Sequence, residues 1–235
     1  MIILASGSPR RLEILLAHGL EPDVVLPDID EDALIASWPA ALSPEELVLR
    51  LALHKARAVY EQMQQQAGGQ IQTSPSKISA QNLGEAAPKV PDTASPEASL
   101  AAPGAGSPAR STALILAADT VVYKESAGIL GKPANQSDAV RMLQALNNTE
   151  HQVITGVALI EAATGQEASF TDTTTVRFNE YSLREILDYL AAEPPFDKAG
   201  SYAIQGLWGK HVMWLRGDYE NVMGLPFYRL TGFIA

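Results

Sequence analysis

Cysteine is absent from the 235 residues, which excludes disulfides, thiolate metal sites and a cysteine nucleophile together. The absence is compatible with a reducing cytosol. Positive charge is scarce as well: seventeen Lys and Arg stand against twenty-seven Asp and Glu, a formal net charge of −10. That balance repels polyanions over most of a surface, so no nucleic-acid partner is expected and any bound phosphate must be held by a local cluster of cations. Long apolar runs are missing too. The opening run ends after Ala5 with no basic segment before it, too short for a signal peptide or a membrane span, so no membrane contact is expected and the cytoplasm is the default location. His18, His54, His151 and His211 lack metal-ligand spacing and read as structural or surface residues. Ser6 and Ser8 have no histidine or acid placed by the sequence to activate them, which argues against a serine nucleophile.

Hydrophobic residues make up 46% of the chain, enough for one compact α/β unit. Between about Gln62 and Arg110 the composition changes: Gln, Ser, Ala and Gly crowd together with six of the fifteen prolines and no aromatic residue. Lys77, Lys89 and Arg110 cancel Glu85, Asp92 and Glu97, and no apolar period persists. Such a stretch cannot bury enough surface to offset its ordering entropy, so it reads as a disordered surface insert at about 62–110 within a single domain spanning 1–235.

Alternating elements surround the insert. Leu12, Leu15 and Leu16 give Pro9 to His18 an apolar stripe that stops at Gly19, as an amphipathic helix does. A helix is expected from Pro44 to about Met63, with Ser43 as N-cap, Glu46 at the capping-box position and Lys55 on or beside its apolar stripe. Ala113 to Ala118 suits a buried strand ending in Asp119-Thr120. Ser137 to Leu146 reads as a helix, and Gln152 to Glu161 as a strand that turns at Thr164-Gly165 into another near Phe170 to Phe178. Ser182 and Glu185 open a helix to about Ala192, His211 to Arg216 is a strand, and a last helix starts near Leu225. The hairpin makes the expected sheet mixed.

Several residues carry chemistry. After the strand of Met1 to Ala5, the loop Ser6-Gly7-Ser8 can bring N–H groups to an anion, with Ser8 as N-cap and Pro9 at the first helical position. The positive end of that helix points at the loop, and Arg10 and Arg11 add forked donors, which is how a phosphate site is built. An ordinary capped helix with solvated arginines is the alternative. Asp119, after a buried strand, either holds a divalent metal and activates water or caps a turn. Glu31, in Asp28-Ile-Asp-Glu31, is a second metal carboxylate or part of a solvated turn. Lys132, in Leu-Gly-Lys-Pro, reaches a phosphate or is merely exposed. The stretch Asp197-Lys198 to Gln205-Gly206 has the charge, small residues and amide of a ligand wall, and Asn221 could brace a loop.

The segments Ala5-Ser-Gly-Ser-Pro-Arg-Arg11, Asp30-Glu31, Lys55-Ala, Ala118-Asp-Thr-Val-Val122, Gly131-Lys-Pro133, Ile154-Thr-Gly156, Asp197-Lys-Ala-Gly200, Ile204-Gln-Gly206 and Asn221-Val-Met-Gly-Leu-Pro226 follow the order seen in Maf-type nucleotide pyrophosphatases. The resemblance covers the whole chain except the insert. Its Asp-Lys-Ala-Gly and Ile-Gln-Gly resemble the branch acting on dTTP and UTP; the sister branch, acting on 7-methyl-GTP, usually has cysteine at Lys198 and Ser-Glu at Ile204-Gln205. Departures are the insert, an extra residue or so between Asp119 and Lys132, and Asp218-Tyr-Glu before Asn221. The resemblance implies a single two-lobed α/β domain around an elongated mixed sheet with a central cleft, and pyrophosphate release from dTTP and UTP with Mg²⁺ or Mn²⁺. It implies Asp119 as proton acceptor, sharing metal binding with Glu31. Arg10, Arg11, Lys55 and Lys132 would neutralise the triphosphate, Ser6, Gly7 and Ser8 would supply loop donors, and Lys198 would line the substrate. Arg10, Thr120 and Gln205 would set substrate choice. A homodimer is also implied. Alternatives are 7-methyl-GTP or a modified nucleotide as substrate, or a nucleotide-binding regulator of septum formation.

Overall fold

The computed structural model describes residues 1–39, 42–68 and 113–234. Most of the expected insert lies outside them, but its first residues do not: α3 continues through that boundary. The elements are β1 (Ile2–Leu4), α1 (Pro9–Ala17), β2 (Asp23–Val24), α2 (Glu31–Ser37), α3 (Pro44–Gly68), β3 (Leu114–Lys124), β4 (Gly128–Leu130), α4 (Gln136–Leu146), β5 (Glu150–Glu161), β6 (Glu167–Phe178), α5 (Leu183–Ala192), β7 (Val212–Arg216), α6 (Tyr219–Met223) and α7 (Phe227–Ile234). Helix α3 outlasts the expected end at Met63 because Gln64, Gln65 and Gln66 extend a helix without needing burial. Helices α2 and α6 are additions to the expected set, both shorter than the window in which periodicity is readable.

One mixed sheet runs in the order β2-β1-β3-β5-β6-β7, with β4 paired to β3. β1 lies parallel to β3, and β3, β5 and β6 form long antiparallel ladders. Strand alternation sorts their side chains onto two faces. Ile115, Ala117, Ala158 and Ile160 pack under α3 with Ala52, Ala56 and Val59. On the opposite face two clusters stand end to end. One joins Leu4, Leu116, Val157 and Phe170 to α1 and α7; the other joins Val122, Val153 and Phe178 to α4, α5 and Trp208. These are the two lobes.

Between the clusters runs a polar seam. Asn221, fully buried, donates from Nδ2 to the Val153 carbonyl and to Thr174 Oγ1, 3.0 Å each, so it braces the seam from α6. Thr120 and Thr155, register partners on β3 and β5, meet through their hydroxyls at 3.0 Å. The helix ends obey the expected chemistry: Ser182 and Glu185 form a complete capping box, and Gly19 turns the end of α1 at φ +75°.

His151 lies 2% exposed beneath Phe178 and Tyr202, its Nε2 at 2.8 Å from the Tyr202 hydroxyl. Burial, helped by the nearby Lys124 ammonium, pushes its pKa down to about 3. The folded state therefore prefers the neutral ring. This contribution to stability is complete above the ordinary value of 6.5 and is lost as pH falls from there toward 3, at up to roughly 1.4 kcal/mol per pH unit. Denaturant titrations between pH 7 and 4 should show that slope, and His151→Gln, which keeps a donor and an acceptor for Tyr202 but does not titrate, should flatten it. Equal slopes in the two proteins would remove His151 from the acid response.

Candidate active site

β1 stops short and the chain leaves the sheet. The Ala5 N–H still reaches the Leu116 carbonyl, after which residues 118–121 of β3, paired with β5 on one edge, have no strand on the β1 edge until β4 pairs with Val122. Asp119 and Thr120 stand in that gap. Asp119 is thus mid-strand rather than after the strand: Thr120-Val-Val-Tyr123 continues the β pattern, and the neighbouring β5 is antiparallel. A cleft of about 400 Å³ opens there, lined by Ser6, Gly7, Ser8, Arg10, Arg11, Glu31, Lys55, Asp119, Thr120, Lys132, Lys198 and Gln205. All twelve residues singled out from the sequence are therefore brought together.

The loop 5–8 is ordered from within. Ser6 Oγ accepts the Ser8 N–H at 3.2 Å and Arg11 Nη1 at 3.1 Å. Ser8 occupies the N-cap position of α1 but makes no side-chain cap, and the loop is held by Ser6 instead. The two arginines part company, since successive helical residues point about 100° apart. Arg11 turns inward: Nε donates to the Gly224 carbonyl at 2.8 Å and Nη2 to Thr120 Oγ1 at 3.1 Å. Burial lowers its pKa, opposed by the charges of Asp119 and Glu31. It ties the loop, β3 and the end of α6 into one wall. Arg10 turns outward and donates from Nη1 to Asp197 Oδ2 at 2.9 Å.

Lys55 comes down from α3, with its side chain only 7% exposed. Its ammonium lies 2.6 Å from Asp119 Oδ1 and 3.1 Å from Glu31 Oε1. Gly156, the register partner of Asp119, makes this possible. A Cβ there would stand 2.5 Å from the backbone carbon and oxygen of Val48, so only glycine lets α3 lie this close to the sheet. Glu31 is the first residue of α2, whose N-cap Asp30 accepts the Ala33 N–H at 2.9 Å. The run read as metal site or turn is thus also a helix start. Beyond α2, Trp38 lies against His54 and under the Arg50 guanidinium.

The opposite wall is the segment 197–206. The Gly200 N–H donates to the Gly131 carbonyl at 3.0 Å, joining this segment to the turn that carries the exposed Lys132. Gln205 is exposed at the rim, and no hydrogen bond to its side chain forms among the described residues. Neither Arg10 nor Thr120 orients it: Arg10 is engaged by Asp197, and Thr120 by Arg11 and Thr155. What holds its turn is Glu193, whose Oε2 accepts the Leu207 N–H at 2.9 Å. Glu193 was not legible as a site residue, its partner being 14 positions away; Asp197 stood in the expected ligand wall, but its pairing with Arg10, 187 positions away, was not legible.

Five cationic side chains, Arg10, Arg11, Lys55, Lys132 and Lys198, face three carboxylates, Glu31, Asp119 and Asp197. On a protein of net charge −10 this is a local positive excess, suited to a compact polyanion. Among the described residues no three His, Asp or Glu side chains gather as a cage for an ion. Glu31 and Asp119 are nonetheless hard oxygen donors, and two carboxylates completed by phosphate oxygens and water are a normal Mg²⁺ or Mn²⁺ environment. The residues fit such an ion alongside a bound phosphate chain. No helix among the described residues is long and apolar enough to cross a membrane.

The family model described as "Maf-like protein" matches residues 1–235. A dTTP/UTP pyrophosphatase of Bacillus cereus is 36% identical over 230 residues, covering 98% of this chain and 86% of the relative; one of Bacillus anthracis has the same identity and covers 92% of its own length. A solved nucleoside-triphosphatase / dITP/XTP pyrophosphatase of Mycobacterium abscessus matches 75% of this chain and 73% of its own, at 12% identity and a TM-score of 0.36, too loosely to bear on fold or site.

Proposed function

The chain belongs to the Maf-like protein family, and from that membership we propose that it hydrolyses dTTP and UTP to the monophosphate and pyrophosphate. The observation that carries the chemistry is the Lys55 ammonium set between Glu31 and Asp119 in a cation-lined cleft. A water molecule attacks the α-phosphorus, its proton passes to Asp119 Oδ2, and the bond to the bridging oxygen breaks as pyrophosphate leaves. Asp119 Oδ1 is held by Lys55, which fixes the carboxylate so that its other oxygen faces the cleft. Arg10, Lys132 and Lys198 meet the phosphate oxygens and the charge that grows on the leaving group, while Arg11 and Ser6 keep the loop 5–8 in shape. Glu31 and Asp119 would hold Mg²⁺ or Mn²⁺, which when bound polarises the phosphoryl oxygens. A cytoplasmic location, where the nucleotide pool is, accords with this reading.

Gln205 supplies the base contact. Uracil and thymine offer a carbonyl beside an N3–H, which an amide complements with its N–H and C=O. Gln205→Glu should lower kcat/KM for dTTP about 5-fold, because a carboxylate would face the base carbonyl unpaired at a rim that is open to water. If the variant keeps the parent's preference for dTTP and UTP over 7-methyl-GTP, Gln205 does not read the base.

Pyrophosphate release measured over dTTP, UTP, CTP and 7-methyl-GTP tests the whole reading. Preference for dTTP and UTP is expected. Preference for 7-methyl-GTP would move the chain to the other substrate, and binding without release would make it a nucleotide-binding regulator.

A further inference from the structure

Asp197 has no place in the chemistry above, yet its carboxylate occupies two of the cations that chemistry needs. Oδ2 accepts from Arg10 Nη1 at 2.9 Å and Oδ1 from Lys198 Nζ at 2.8 Å, and its main-chain oxygen lies 3.5 Å from Arg10 Nη2. Arg10, the second residue of α1, stands on one wall of the cleft and Lys198 on the other, so this carboxylate spans the mouth. Burial works to raise the Asp197 carboxyl, but the hydrogen bonds from Lys198 and Arg10 outweigh it and hold it at about 2, so it is ionised at any working pH.

Arg10 meets the carboxylate through Nη1 and the main-chain oxygen through Nη2, and a phosphate seeks the same forked N–H donors, so the two ligands compete for that edge of the guanidinium. The Asp197 side chain is 56% exposed and that of Arg10 21%, so exchange between carboxylate and phosphate takes place at the water's edge. Lys55 differs in this respect, being locked between its carboxylates in the interior.

We propose that Asp197 is an internal competitor of the phosphate chain: it holds Arg10 and Lys198 in place while the cleft is empty, yields them to the triphosphate, and takes them back from pyrophosphate. The proposal rests on the triphosphate reading above. Two consequences follow from the geometry. The cations are pre-oriented, so less side-chain entropy is lost when substrate arrives. A product that keeps only part of the substrate's contacts is expelled by a ligand that is always present at the same site, so Asp197 speeds product release and is a positioning residue rather than a catalytic one.

The test uses the full chain and inorganic pyrophosphate as probe. In Asp197→Asn and Asp197→Ser, calorimetric titration should show pyrophosphate bound about 3- to 10-fold more tightly, the gain expected from removing two partly exposed ion pairs. With dTTP, kcat and KM should fall together, the pattern of slowed release. Asp188→Asn, which removes an exposed carboxylate of α5 paired with Arg184, should change neither. In an Arg10→Gln background the gain from Asp197→Asn should shrink, since one of the contested cations is gone. Unchanged or weaker pyrophosphate binding in both Asp197 variants, with the parent binding normally, overturns the proposal and leaves Asp197 a structural brace. A parent that binds neither pyrophosphate nor dTTP overturns the triphosphate reading and the proposal with it.

Discussion

Asp119→Asn is expected to cut the turnover of dTTP by about 10²- to 10⁴-fold, the usual cost of removing a positioned general base. The amide keeps the shape of the carboxylate, so Lys55 can still approach Oδ1, but it no longer accepts the proton of the attacking water. Removing one negative charge from the cleft should leave nucleotide affinity intact or raise it. Lys55, with its side chain 7% exposed, then has Glu31, at 3.1 Å, as its one remaining negative partner, so some stability is lost as well. Single-turnover hydrolysis and equilibrium nucleotide binding, measured on the same preparation, separate these effects. A variant that hydrolyses dTTP within a few-fold of the parent would take the proton-accepting role away from Asp119.

The second large effect is expected from a residue with no side chain. In Gly156→Ala the added methyl would stand 2.5 Å from the Val48 carbonyl and 2.7 Å from the Leu49 nitrogen, both of them backbone atoms of α3. Helix and sheet must separate. Overpacking of this kind costs about 1–3 kcal/mol, and more where backbone rather than a side chain must yield. As α3 lifts, the Lys55 ammonium is drawn from Asp119, and displacements near 1 Å at a reacting group can cost on the order of 10²-fold. Calorimetric unfolding together with kcat should therefore report both losses in one protein. A lower melting temperature with kcat preserved would show that Lys55 reaches Asp119 whatever the spacing of α3 above the sheet.

Much of this arrangement was legible in the chain. Leu12, Leu15 and Leu16 followed by Gly19 specify α1, and the box of Ser182 and Glu185 specifies α5, because each signal is local and complete within a few residues. That Arg10, Lys55, Asp119 and Lys132, which line one cleft, belong together was an expectation from segments that resemble a known family. The division of labour was not. Arg10 and Arg11 look equivalent in sequence, and only the 100° step along α1 sends one to Asp197 and the other to Gly224 and Thr120. Asp119 looks like the end of a strand because a charge interrupts the apolar run, yet Thr120, Val121 and Val122 are themselves good strand residues and β3 continues through them. Helix α2 had a readable start, Asp30 with Glu31 and Asp32 behind it, but it buries none of its residues and so leaves no apolar period. Arg10 and Thr120, expected to set substrate choice together with Gln205, are both committed to other partners far away in the chain.

The gap beside β3 also bears on how the protein stays out of trouble. A bare sheet edge is a template on which a foreign strand can add itself, the first step toward aggregation, and proteins blunt such edges with charge or with short length. Here the open stretch is limited to residues 118–121, closed at one end by β1 and at the other by β4, and Asp119 sits within it. No extended segment from another molecule can lie along so short an interval. The same interruption that admits a phosphate chain therefore keeps out a polypeptide, and filling it with a longer β1 would remove the cleft, whereas deleting β4 would lengthen the sticky edge.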